Sequence, residues 1–235
     1  MIAENVRNVR QRIENACRRA GRSPDEVTLV AVTKAFSTEE IRQAVEAGVF
    51  DIAENYVQEL RRKREALNDP RIRWHFIGHL QSNKVKFIAE WIHLIHSVDS
   101  VRLGREISSQ ASRLNRTIDC LVEVNTTGEK SKFGISGGEV VHVVKELNTL
   151  QNVRTLGLMT VGEFTPDPND SRPAFRTLRE LRERMKENGI GLTHLSMGMT
   201  NDFETAIEEG ATIVRIGTAI FGERKKVQRE ALIQT

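Results

Sequence analysis

Lys34 ends the run 27-VTLVAVTKAF-36, in which β-branched and apolar residues leave a single amine at the close. That composition predicts a strand buried on both faces. Burial lowers a lysine pKa, and a neutral amine is a nucleophile that condenses with an aldehyde or ketone as a Schiff base. A strand-end lysine that snorkels to water is the other use of such a position. Two later stretches, 196-SMGMTND-202 and 217-GTAIFG-222, place a small hydroxyl and a glycine between a strand end and a helix start. Backbone N–H groups in such turns bind phosphate, although Ser-x-Gly before a helix is also ordinary capping. Arg215 falls inside a predicted strand, where a guanidinium needs a partner, either a structural carboxylate or an acceptor atom of a bound ligand. His75 and His79 are four apart but straddle a predicted strand end and lack the glutamate of HExxH, so no metal site is expected.

The elements that must position these groups alternate regularly. Ile2, Val6, Val9, Ile13 and Ala16 mark one face of a leading helix that Gly21 stops. Strands are predicted at 27–36, 49–53, 72–78, 92–98, 117–125, 154–161, 192–197 and 212–217. Between them, helical spacing recurs: Ile41, Ala44 and Val45 behind a Ser37/Glu40 capping box; Val57, Leu60, Arg64 and Leu67; a helix from Ser82 to Trp91; Val101, Ile107, Ala111 and Leu114; Val140, Val143, Val144, Leu147 and Leu150; Phe175, Leu178, Leu181 and Met185; and 201–209. About eight such alternations predict a parallel sheet closed as a (β/α)8 TIM-type barrel with an extra N-terminal helix. A doubly wound open sheet would call for a GxGxxG after the first strand, which is absent. No linker divides the chain, so one domain is expected over 1–235, with a leading helix at 1–21, the barrel at 27–223 and a tail at 224–235. A barrel works at the C-terminal ends of its strands and often holds phosphate after the seventh and eighth. Lys34 and the two turns then meet at one mouth. A ligand with a carbonyl at one end and a phosphate at the other fits, as pyridoxal phosphate carried on Lys34 or as a sugar phosphate in a Schiff-base aldolase.

Composition narrows the classes. The chain has 235 residues, 39% apolar and 29% charged, and lacks any apolar run of the roughly 20 residues a membrane span requires. Two cysteines without a CxxC point to a reducing, cytoplasmic setting and away from zinc. Net charge is only +3, and no basic stretch is interleaved with aromatics, which argues against nucleic acid. The arginines of the first helix alternate with an apolar seam, as on a solvated face.

In order along the chain, VAVTK, ENYVQE, WHFIGHLQSNK, VN…SKFG, GLMT, LSMGM and VRIGTAIFG resemble the pyridoxal phosphate homeostasis protein family, from about residue 27 to residue 223. That family shares the N-terminal barrel of alanine racemase. The resemblance implies that Lys34 carries pyridoxal phosphate as an aldimine. It implies phosphate contacts from Ser196, Gly198, Gly217 and Thr218, and an Arg215 contact to the pyridine nitrogen. Asn55 would lie against the cofactor, with Met197 or His79 near it. Ala53 stands where the family pattern often has glycine before ENY, an extra methyl that bears on backbone packing and not on the lysine. A guanidinium facing the pyridine nitrogen disfavours its protonation and weakens the ring as an electron sink. Racemisation also needs a second acid/base, which alanine racemase takes as a tyrosine from another domain across a dimer, whereas this chain has one tyrosine, Tyr56. The expected role is therefore to hold, buffer or deliver the cofactor, with apo-enzymes as recipients, as a monomer or weak homodimer. An amino-acid racemase is the alternative, and an aldolase a further one.

Overall fold

The computed structural model describes residues 1–129, 133–162 and 167–223; the predicted tail at 224–235 lies outside them. Nine parallel strands follow the order β4-β3-β2-β1-β9-β8-β7-β5-β6, and β4 also pairs with β5. The members are β1 (Thr28–Val32), β2 (Asp51–Glu54), β3 (Arg73–Phe76), β4 (Leu94–Val98), β5 (Ile118–Asn125), β6 (Ile135–Ser136), β7 (Val153–Met159), β8 (His194–Ser196) and β9 (Ile213–Ile216). The β4–β5 pairing closes eight of them into the expected barrel, and the two-residue β6 hangs on the end of β5. Val30, Val32, Ala53, Leu94, Leu121, Met159 and Ile213 fill the inside, so the extra methyl of Ala53 is absorbed in apolar packing. A larger core lies between the barrel and its helices.

The helices are α1 (Ile2–Arg19), α2 (Thr38–Glu46), α3 (Val57–Leu67), α4 (Val101–Arg113), α5 (Val140–Asn148), α6 (Arg172–Glu187), α7 (Phe203–Glu208) and α8 (Thr218–Phe221). The predicted stripes of α1, α2 and α6 are buried as spaced. The Ser37 box forms, with Ser37 Oγ accepting from Glu40 N at 3.3 Å and Ser37 N donating to Glu40 Oε2 at 2.7 Å. On α3 the buried third member is Lys63, and Arg64 is exposed. The stretch expected as a helix from Ser82 to Trp91 is a 3-10 segment, Ser82–Phe87. Its hydrogen bonds run i to i+3, from Lys84 N to Gln81 O and from Ile88 N to Val85 O, which suits Val85 and Ile88 buried three apart.

The leading helix has a structural task. The last helix among the described residues, α8, has only 4 residues, too few to cover β9. Helix α1 packs against α2, α7 and α8 and completes the outer ring there. Its arginines pair rather than only solvate: Arg12 and Arg19 bridge Glu204 on α7, and Arg19 also bridges Glu208.

Candidate cofactor site at the C-terminal mouth

A cavity of about 440 Å³ opens at the C-terminal ends of the strands. Its walls include Lys34, Asn55, Arg215, Gly217 and Thr218 of the expected set, together with Met199, Thr200, Asn201 and Asp202.

Lys34 lies in a turn just beyond β1 and is half-buried. The turn is clamped on both sides of it from α3. The Lys63 ammonium donates to Thr33 O at 2.7 Å, while Ala35 N donates to Glu59 Oε1 at 2.9 Å. Lys63 also meets Glu54 Oε1 at 2.6 Å and Glu59 Oε1 at 2.7 Å, and Thr33 Oγ1 donates to Glu54 Oε1 at 2.6 Å. Burial pushes the Glu54 carboxyl up from its ordinary range, against the pull of Lys63. Ala35 has φ of 66°, a left-handed conformation a β-carbon disfavours, so the clamp holds a strained backbone next to the amine.

Arg215 points inward from β9, which runs beside β1 with Arg215 level with Val30. Its Nη1 donates to Ser196 O at 2.8 Å and Ser196 Oγ at 2.6 Å, and its Nη2 to Thr160 O at 2.8 Å. None of these three acceptors is a carboxylate; Glu123 and Asp202 act on it through space. Burial lowers its pKa to about 10, so it remains cationic at neutral pH. The same burial raises Glu123 to about 7, with Asp99 adding to the rise and Arg215 opposing it.

The two phosphate-type turns meet directly. Thr218 Oγ1 donates to Thr200 Oγ1 at 3.1 Å, and Ala219 N reaches the same oxygen at 3.4 Å. Asp202 Oδ1 accepts from Met199 N at 2.6 Å and fixes the first turn. Gly198 is required there: φ is +92°, and a β-carbon would come within 2.6 Å of the Ala206 β-carbon. Gly78 is required at the end of β3, where a β-carbon would fall 2.2 Å from Asn55 O. Asn55 therefore fits against the cavity, and its Oδ1 is buried without a hydrogen-bond partner.

Other expected positions fall elsewhere. Ser196 is fully buried beneath Arg215, and its hydroxyl faces Arg215 and His96 rather than the cavity. Met197 is fully buried, and neither it nor Gly198 lines the cavity, though Gly198 O accepts from Arg215 N. His79 lies outside the cavity wall, 3.2 Å from Asp99 Oδ2 and stacked on Phe133. It does not meet His75, which points into the barrel toward Asp51. Thr200 and Asn201 belong to the SMGMTND run, which marks the turn without singling out either residue. Lys63 carried no such signal, because its burial depends on a turn 30 residues away.

This mouth offers an amine, a fixed guanidinium, an unsatisfied amide oxygen and two joined turns rich in hydroxyl and N–H groups. A phosphorylated carbonyl compound with an aromatic ring nitrogen matches that donor set.

The family model described as alanine racemase, N-terminal domain, matches residues 2–225. The chain is 47% identical over 223 residues to a protein of Aquifex aeolicus named pyridoxal phosphate homeostasis protein, covering 94% of this chain and 98% of that one. A Pseudomonas aeruginosa protein of the same name is 42% identical, covering 95% and 96%. Among solved structures, PipY of Synechococcus elongatus with PLP bound superposes with a TM-score of 0.83 at 32% identity, covering 94% of this chain and all of that one. An alanine racemase of Clostridium difficile superposes at 0.75 with 14% identity, and this chain covers 58% of it, a likeness of fold.

Proposed function

The chain belongs to the family of the pyridoxal phosphate homeostasis proteins, and from that premise we propose that it binds pyridoxal 5'-phosphate reversibly on Lys34 and serves to buffer or deliver it. The observation that carries the reading is the convergence of Lys34, Asn55, Arg215, Gly217 and Thr218 on one cavity. The Lys34 amine condenses with the aldehyde to a C=N bond, releasing water, and hydrolysis returns the free cofactor. When bound, pyridoxal phosphate supplies an aldehyde and an electron-withdrawing ring. The joined turns at Thr200 and Thr218 take the phosphate, and the Asn55 amide oxygen gains a partner. Arg215 donates to the ring nitrogen and, having no acceptor, disfavours its protonation. Storage of the cofactor is therefore favoured over carbanion chemistry. The chain's one tyrosine, Tyr56, is 65% exposed at the start of α3 and does not line the cavity, which supports a non-catalytic role.

Purified protein mixed with pyridoxal phosphate is expected to develop the yellow absorption of an imine, trapped permanently by borohydride, and Lys34→Ala is expected to lose both. An unchanged cofactor spectrum with the unsubstituted protein overturns the proposal. Rapid entry of solvent deuterium at the α-carbon of any amino acid would assign a racemase instead.

A further inference from the structure

Behind Arg215 a continuous line of polar groups crosses the inside of the barrel. Arg215 Nη1 lies 2.6 Å from Ser196 Oγ, and Ser196 Oγ lies 2.9 Å from His96 Nδ1. His96 Nε2 lies 2.9 Å from His75 Nδ1, and His75 Nε2 lies 3.0 Å from Asp51 Oδ1. Asp51 is held by Arg73, whose Nε and Nη2 reach its two oxygens at 2.7 and 2.5 Å. Ser196 and His96 are fully buried and His75 nearly so. One end lines the cavity of about 440 Å³ at the C-terminal mouth; the other lines a cavity of about 310 Å³ where the strands begin.

We infer that Ser196, His96 and His75 form a one-directional hydrogen-bonded wire, with both imidazoles neutral and protonated on Nε2, and that His96 is the positioning residue that turns Ser196 into a fixed acceptor for Arg215. The balance of donors and acceptors fixes the direction. A guanidinium only donates, and an ionised carboxylate only accepts. Desolvation raises the Asp51 carboxyl, but the hydrogen bonds of Arg73 and His75 outweigh it and hold the group down at about 2, so it is ionised. Between those two ends, one arrangement satisfies every group. Ser196 O–H donates to His96 Nδ1, His96 Nε2–H donates to His75 Nδ1, and His75 Nε2–H donates to Asp51. The reverse direction points two donors at Ser196 Oγ and leaves its own hydrogen without an acceptor among the described residues. A second proton on either imidazole forces the same conflict. Burial also lowers His96 well below the ordinary histidine range.

The line excludes a competing use of the same groups. Asp51, His75 and His93 present atoms within 4.8 Å of one another, a spacing open to a metal ion. An ion there would need the lone pair of His75 Nε2, which reverses every link above it, and would have to displace Arg73 from Asp51.

The tautomers follow from this chain alone, while their effect on ligand binding rests on the proposed function. Long-range proton–nitrogen spectra of labelled protein without added cofactor are expected to show His75 and His96 both as neutral Nε2–H forms at pH 7. An Nδ1–H form or a cationic ring on either histidine overturns the wire. His96→Leu breaks it, whereas His96→Gln keeps an acceptor toward Ser196 and a donor toward His75. Titration with pyridoxal phosphate, read by visible absorption, is expected to weaken about tenfold for the leucine variant and to stay within about threefold for the glutamine variant, the loss of one hydrogen bond of about 1.4 kcal/mol. Equal loss in both, or loss in neither, overturns the positioning role. If the unsubstituted protein never binds the cofactor, the functional proposal fails while the spectra still decide the wire.

Discussion

Two buried cations flank the mouth and are satisfied in opposite ways. Lys63 is surrounded by carboxylates, Glu54 at 2.6 Å and Glu59 at 2.7 Å. Arg215 is held by two carbonyls and a hydroxyl. A cation matched by acids contributes little field outside its cluster, and its work is to hold the Lys34 turn. A cation held by neutral oxygens keeps its charge available to whatever enters the cavity. The contrast separates a residue that holds the turn beside the cavity from one whose charge is open to the cavity, although both are basic and buried.

The largest effect should come from breaking the matched cluster on one side only. Lys63→Met leaves Glu54 buried without its cation and is expected to lose about 3–5 kcal/mol of stability in urea unfolding. Adding Glu54→Gln removes the stranded charge and should recover more than half of that loss. A double variant as unstable as the single one would mean that the carboxylate is not the source of the cost.

The next test concerns the acid that Arg215 feels without touching. Glu123 is raised to about 7 by burial, above its unfolded value of about 4.5. A raised carboxyl leaves stability intact below the unfolded pKa and removes it as pH rises through the folded one. Glu123→Gln mimics the protonated form, so it should stabilise the protein by about 2–3 kcal/mol at pH 8 and by almost nothing at pH 4.5. A gain independent of pH would show that packing, not charge, is responsible. Arg215→Met should cost less than Lys63→Met, about 2 kcal/mol, because it strands carbonyl and hydroxyl acceptors but no hydrogen-bonded carboxylate. A larger loss for Arg215→Met than for Lys63→Met would invert the comparison.

How much of this was legible depends on how local each cause is. The barrel was legible because eight strand segments and their apolar helix stripes repeat in sequence, and the Ser37/Glu40 box because its partners are three residues apart. Lys34 and the two turns were marked by residue type at strand ends. Lys63 was not, since helical spacing placed Arg64 in the buried stripe and only the fold brings the Thr33 carbonyl to position 63. Ser196 was placed toward a phosphate by its motif. As the last residue of β8 it alternates into the barrel with His194, so its hydroxyl meets Arg215 instead. His79 lies beyond the end of β3, where strand alternation no longer sets direction, and it meets Asp99 there.

The smallest expected effect tests whether the clamp around Lys34 holds strain. Ala35 has φ of 66° and donates its N–H to Glu59 at 2.9 Å. Relieving a left-handed alanine with glycine gains about 1 kcal/mol in the folded chain, and the freer unfolded chain takes back about 0.4–1 kcal/mol. Ala35→Gly should therefore be close to neutral, within about 0.6 kcal/mol, where the same change in an extended or helical residue would destabilise. The informative comparison is in the Lys63→Met background. There the turn has lost its hold on Thr33, so alanine can relax toward negative φ and the glycine substitution no longer relieves anything. Its benefit should vanish and leave only the entropic loss, making Ala35→Gly more destabilising in the variant than in the parent by about 0.5–1 kcal/mol. Identical effects in the two backgrounds would show that the backbone at Ala35 is set by the turn itself and not by the matched ion cluster beneath it.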